Sequence, residues 1–297
     1  MVYQRVGIDM SFAQQVIAAI PKPKASREVG ASRDWYDIAA SSDGAKLVAV
    51  GDSINIYTST DNGANWTSRD SARVWRCVAS SSDGVKLVAG VYGGQIYTST
   101  DSGANWTARD SSRNWNAVDS SSDGVKLVAS TFGGTLYISS DSGANWTTKE
   151  SNRSWSGVAC SADGTKMYAT CDTNLYYSTD GGGTWAVRSF SDNWRAVACS
   201  DDGVYLAASA TPSLVGILAS TSSGVGFLNR GPAGTYTAVD VSPSGTAMFA
   251  TDGGTTYEST DYGFNWTALA AQTGRRALAA YSGGMASCGS GFINIYD

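Results

Sequence analysis

Residues 75–110 read WRCVASSSDGVKLVAGVYGGQIYTSTDSGANWTARD, and the same phrase returns along most of the chain. Four short runs rich in β-branched and aromatic residues, WRCVAS, KLVAGVY, QIYTST and NWTARD, are divided by turn signals at Asp83-Gly84, Gly93-Gly94 and Asp101-x-Gly103. Four strands per unit is the content of a propeller blade; a leucine-rich or helical solenoid takes one strand or none.

The first position of the phrase is filled by Trp35, Trp75, Trp115, Trp155, Trp194, Tyr236 and Arg275, a period of 39 to 42 residues. Seven starts predict an all-β chain: a seven-bladed β-propeller of four-stranded antiparallel blades. The last unit stops at Phe292-Ile293-Asn294-Ile295-Tyr296-Asp297, which matches the third-strand run Ser53-Ile54-Asn55-Ile56-Tyr57 of the first unit. Counting back one period puts residues 25 to 31 in the missing fourth-strand slot, so an N-terminal strand is expected to close the last blade and leave fewer unpaired edges. The expected division is an N-terminal arm over residues 1–23 and a propeller over 24–297. In the arm, Ser11 is a candidate helix N-cap, Phe12, Val16, Ile17 and Ile20 form an apolar stripe, and Pro21 ends the run. So short a helix is marginal alone, and docks on its own propeller or on a partner assembly.

The third turn of the unit is S-x-D-x-G-x-x-W. It stands intact at Ser59/Asp61/Gly63/Trp66, Ser99/Asp101/Gly103/Trp106, Ser139/Asp141/Gly143/Trp146, Ser178/Asp180/Gly182/Trp185 and Ser259/Asp261/Gly263/Trp266. A sixth copy has decayed, with Ser222 for Asp and Phe227 for Trp. This eight-residue pattern resembles the Asp-box, or BNR, repeat of the sialidase-like seven-bladed propellers, over roughly residues 35 to 297. The resemblance implies a structural role for the box aspartates and tryptophans, away from any active site. The photosystem II stability and assembly factors look similar too, being seven-bladed Asp-box propellers with an arginine-rich face.

Composition suits this reading. Of 297 residues 34 are Gly and only 5 Pro, a balance for many tight turns, and the net charge of −5 offers no basic stripe for nucleic acid. No stretch reaches transmembrane length, and the first residues lack a signal-peptide layout, so a cytoplasmic or virion-associated chain is expected. Cys77, Cys160, Cys171, Cys199 and Cys288 show no metal-ligand spacing and are expected as free, buried thiols; no metal and no cofactor is expected.

The chain contains no histidine, which excludes every His-dependent triad and imidazole base. Each box aspartate sits in its own outer hairpin, whereas glycoside hydrolysis needs two carboxyl groups facing one bond. The arginine cluster, Tyr/Glu pair and Arg-Ile-Pro-like motif of sialidases are not found, so no catalytic residue is expected. The sequons at Asn65, Asn105, Asn145 and Asn265 fall inside the boxes and read as structural.

The link from one unit to the next reads Arg69-Asp70-Ser71-Ala72-Arg73-Val74-Trp75, Arg109-Asp110-Ser111-Ser112-Arg113-Asn114-Trp115 and Lys149-Glu150-Ser151-Asn152-Arg153-Ser154-Trp155. A candidate ligand face therefore gathers Arg33, Arg73, Arg113 and Arg153 with Trp75, Trp115, Trp155, Tyr92 and Phe132, a set that suits sugars, carboxylates or a protein loop. The alternative is that each Trp packs between blades and each Arg pairs with Asp70, Asp110 or Glu150. Residues 205 to 235 form the irregular unit. The expected function is non-enzymatic binding of a glycan or protein at this face, with residues 1–23 attaching to an assembly, as in an accessory or receptor-binding component of a virus particle. An intracellular assembly factor is the alternative, and a sialidase-like glycosidase a distant third.

Overall fold

The computed structural model describes residues 26–189, 193–211, 216–269 and 274–296. The expected helical arm at 1–23 and part of the apolar stretch at 214–219 lie outside them. The chain begins with β1 (Ser26–Ala40), β2 (Leu47–Gly51), β3 (Ile54–Ser59) and β4 (Thr67–Arg73). There follow β5 (Trp75–Ser80), β6 (Leu87–Ser99), β7 (Thr107–Ser120), β8 (Leu127–Thr131), β9 (Leu136–Ser139) and β10 (Thr147–Lys149). Next come β11 (Trp155–Cys160), β12 (Met167–Cys171), β13 (Asn174–Ser178), β14 (Ala186–Ser189), then β15 (Asn193–Cys199), β16 (Leu206–Thr211), β17 (Ile217–Ser220) and β18 (Leu228–Asn229). The chain ends with β19 (Ala238–Val241), β20 (Met248–Thr251), β21 (Thr256–Ser259), β22 (Thr267–Ala268), β23 (Arg275–Tyr281) and β24 (Gly284–Tyr296).

The architecture is an all-β propeller of four-stranded antiparallel blades. Its hydrogen bonding departs from seven separate sheets: the strands form five, in the orders β23-β24-β1-β2-β3-β4, β10-β9-β8-β7-β6-β5, β11 to β14, β15 to β18 and β19 to β22. The cause is continuity of the backbone where a link was expected. β7 pairs with β6 through Thr107–Asn114 and then with β8 through Trp115–Ser120, joining two repeats in one sheet. β1 does the same, pairing with β24 through Ser26–Asp34 and with β2 from Trp35 on. Ser26, Arg27, Glu28 and Val29 face Tyr296, Ile295, Asn294 and Ile293, so the start of the chain pairs with its end.

The repeating Trp supplies the glue between units. Trp35, Trp75, Trp115, Trp155 and Trp194 are all at most 2% exposed. Trp75 packs with Val48, Val50 and Ile56 of one repeat and Leu87, Ala89 and Val91 of the next, meeting the Tyr97 ring edge-on at 5.2 Å. At the seam, Trp35 and Ile38 pack with Ala277, Tyr281, Ile293 and Ile295. Deleting one such ring costs about 3–5 kcal/mol.

At the opposite end from the links, polar turns lock the units. Ser81 Oγ donates to Asp83 Oδ1 at 2.6 Å and accepts from Lys86 N at 2.9 Å, and the pattern recurs at Ser41, Ser121, Ser161 and Ser200. A chain of backbone hydrogen bonds then runs around the ring: Ser42 N to Ser82 O, Ser82 N to Ser122 O, Ser122 N to Ala162 O, Ala162 N to Asp201 O, Asp201 N to Pro243 O, and Ser282 N to Ser42 O. Pro243 carries no N–H, so the step from it to the last repeat cannot be made.

In the eight-residue boxes the Ser hydroxyl donates to the Asp carboxylate, which accepts the Asn or Thr backbone N–H four residues on, as Asn105 N to Asp101 Oδ1 at 2.9 Å. Trp106, Trp146 and Trp266 donate their indole N–H to the box glycine carbonyls at 3.0–3.1 Å. Trp66 and Trp185 do not: their indole N–H groups are buried and find no acceptor among the described residues. Both rings still pack half-buried, Trp66 against the Trp35 cluster and Trp185 against the Trp155 cluster. The Trp66 ring lies at 38° to Trp35, flatter than Trp106 at 46° to Trp75 or Trp146 at 50° to Trp115. All five box tryptophans therefore contribute apolar packing, and only three also tie down the turn, because the ring can seat against its neighbour without its N–H reaching the glycine carbonyl. The decayed copy keeps Ser220 Oγ as acceptor for Gly224 N, and Phe227 packs against Trp194. All five thiols are free; Cys199 is half-buried and the others buried.

Candidate functional site

In every repeat but the one that starts at Tyr236, whose β19 pairs from Ala238 on without a slip, the first strand begins with a local irregularity. The ladder slips between Trp35 and Asp37, Trp75 and Cys77, Trp115 and Ala117, Trp155 and Gly157, Trp194 and Ala196, and Arg275 and Ala277. The residue left over is Tyr36, Arg76, Asn116, Ser156, Arg195 or Arg276. A β-bulge of this kind re-aims a side chain, and all six line a central channel of about 970 Å³. Repeats that agree at most other positions differ here, so the scaffold presents a varied rim.

The rim has two unequal sides. The Arg76 and Arg276 guanidinium carbons each stand 4.7 Å from the Tyr36 ring, and Arg276 reaches Asp34 at 2.7 Å. Asn116 Nδ2 donates to Trp155 O at 3.0 Å, tying adjacent repeats, and Ser156 Oγ donates to Thr170 O at 3.2 Å within its own repeat. Arg76 and Arg195 are exposed and have no carboxylate partner among the described residues. Phe132, 58% exposed, also lines the channel, and Tyr92 stands 46% exposed at the equivalent turn of the preceding repeat.

Deeper in the channel wall lie Asp37, Asp119 and Asp240. Each bridges two repeats by accepting two backbone N–H groups: Ile38 and Val78, Ser120 and Cys160, Val241 and Ala280, at 2.6–2.9 Å. Burial pushes all three up to about 7, against the opposing pull of those hydrogen bonds. Carboxyl groups half in a narrow lumen lose water that these donors replace only in part. The box aspartates go the other way: hydrogen bonds from Asn65 hold Asp61 down at about 2, and those from Thr184 do the same for Asp180.

The residues expected to form the ligand face divide into three groups. Trp75, Trp115 and Trp155 are at most 1% exposed and belong to the core between repeats, which corrects their assignment to a binding face: their rings pack inward and cannot reach a ligand. Arg73, Arg113 and Arg153 pair with Asp70, Asp110 and Glu150 and, like Arg33, stack on tyrosines, in the grooves between repeats. Tyr92 and Phe132 remain exposed. Sequence reasoning missed Arg76, Arg195, Arg276 and Tyr36; the signal was their constant place after the first residue of each repeat.

No protein-family model matches the chain, and no curated protein matches it in sequence. Solved structures do match in fold. YCF48 bound to D1 peptide aligns at 16% identity over 93% of this chain and 97% of that one, with a TM-score of 0.71. YCF48 from Cyanidioschyzon merolae aligns at 17% identity over 92% and 98%, with a TM-score of 0.70. The Cps50 (Swd1) β-propeller domain of Myceliophteria thermophila aligns at 11% identity over 92% and 99%, also at 0.70. At these identities the likeness is one of fold: the chain is similar in its backbone to propellers, one of which was solved with a peptide.

Proposed function

We propose that this chain is a non-enzymatic, protein-binding propeller that receives an extended peptide segment of a partner at the channel mouth. The observation that carries the reading is the rim of bulged residues, where the exposed guanidiniums of Arg76 and Arg195, in no ion pair among the described residues, stand with exposed Phe132 beside an open channel. Arginine and aromatic side chains are the usual anchors of protein interfaces. Acidic and aromatic partner residues fit this rim best. That a propeller of the same fold is solved with a D1 peptide supports the reading. We read the ring as seven Asp-box units: the hydrogen-bond chain from Ser42 to Ser282 touches each repeat once, and each core cluster joins two neighbours. On this count the two six-stranded sheets are pairs of blades fused through β1 and β7.

The test is selection from a random peptide library on the intact protein, with a glycan array run beside it. Enrichment of acidic, aromatic-containing peptides whose binding falls at least tenfold in Phe132→Ala supports the proposal. Enrichment on the glycan array alone, or peptides indifferent to Phe132, would overturn it.

A further inference from the structure

The links between repeats carry one small device three times over. Asp70, Asp110 and Glu150 adopt left-handed φ values of 46°, 46° and 57°. Each faces the arginine three residues on, at 3.4 Å for Arg73, 3.3 Å for Arg113 and 4.0 Å for Arg153. Each guanidinium also lies over a tyrosine, at 4.6 Å from Tyr97, 4.6 Å from Tyr137 and 4.9 Å from Tyr176.

Arg33 holds the same position two residues before Trp35 and stands 4.5 Å from Tyr57. Here the device is incomplete. The residue three before Arg33 is Gly30, and the neighbouring carboxylate of Asp34 is taken by Arg276 at 2.7 Å. Among the described residues Arg33 makes no ion pair. Its cross-strand partner is Gly291, where an added Cβ would meet nothing within 4 Å, so the space beside it is open.

We infer that Arg33 is a docking point for a carboxylate supplied from outside, the Asp or Glu side chain of an acidic peptide. That group takes the place that Asp70, Asp110 and Glu150 fill on the other repeats. The inference rests on the reading of this end of the propeller as the binding face. The molecule itself displays the geometry of the filled site, and the tyrosine stack holds the planar guanidinium ready for a charge-assisted pair.

The experiment has two arms on the full chain. In the first, phenylglyoxal modification is followed residue by residue by mass spectrometry. Arg33 is expected to react several-fold faster than Arg73, Arg113 and Arg153, and Gly30→Asp, which supplies the missing carboxylate internally, should abolish the excess. Equal rates in the unmodified sequence would overturn the inference. In the second, a hexaglutamate peptide is the probe: it should protect Arg33, and its affinity should fall at least fivefold in Arg33→Ala and in Gly30→Asp but less than twofold in Arg73→Ala. Binding unaffected by Arg33→Ala would overturn the carboxylate site while leaving the peptide-binding face standing. Failure of hexaglutamate to bind or protect would also overturn it, and the face itself would fall only if the library selection failed too. Thermal melts of all three variants separate misfolding from loss of the site.

Discussion

The three channel carboxylates should make the stability of this propeller fall as pH rises through neutrality. Asp37, Asp119 and Asp240 sit at about 7 in the folded chain against an ordinary value of 3.8. A group whose pKa is raised by folding favours the folded state while protonated. Its contribution is complete below about 3.8 and is lost as pH climbs through about 7. A rise of that size sets a ceiling of about 4 kcal/mol per group. All three side chains border an open channel, so solvent screening brings this to about 1 kcal/mol each, or about 3 kcal/mol together. About two thirds of that loss falls above pH 5, which for a domain of this size corresponds to a fall in Tm of about 4–8 °C between pH 5 and pH 8. The box aspartates act in the other direction and only in acid, losing their contribution as pH drops towards about 2. Maximum stability is therefore expected between about pH 4 and 6. Differential scanning calorimetry from pH 3 to 9 measures this directly. Asp119→Asn should remove about a third of the slope above pH 5, because its carboxyl is one of three. A Tm that is flat or rises from pH 5 to pH 8 would refute the placement of these carboxyl groups in a desolvated channel.

Removing residues 1–33 takes away the strand that pairs with β24 and exposes a sheet edge; a loss of several kcal/mol and a fall in urea midpoint are expected. Gly124→Ala should cost about 1–3 kcal/mol in the same assay, since its φ is 66° and the new methyl would stand 2.7 Å from Lys86 Cβ, an atom with no freedom to retreat.

Much of the fold could be read from the repeated Trp and the box because both are local signals. Four runs between fixed turn residues specify hairpins, and a Trp every 39 to 42 residues specifies what packs between them. The fusion of repeats into two six-stranded sheets was not legible: the links 70–74 and 110–114 differ little, yet β4 stops at Arg73 and β7 continues to Ser120. Nor does the box pattern tell Trp66 and Trp185 from the three tryptophans that bond their turns, since the eight-residue spacing is the same in all five. The site was harder still. Period-two alternation assigns faces only in a regular strand, and the bulge after each Trp breaks it. Trp75, Trp115 and Trp155 thus look in sequence like members of a face they do not reach, while the pattern gives no prominence to Arg76 and Arg195. Asp37, Asp119 and Asp240 left a readable trace, an acid inside an apolar inner strand as in Ala117-Val118-Asp119 and Ala238-Val239-Asp240. Such a breach of pattern marks a special position.

The most direct test of the binding rim is the affinity of a library-selected acidic peptide for Arg76→Ala combined with Arg195→Ala, measured by isothermal titration calorimetry. At least a tenfold loss with Tm unchanged is expected, since both guanidiniums are exposed and neither forms an ion pair among the described residues. Undiminished affinity in a folded double variant would contradict the rim as the binding surface.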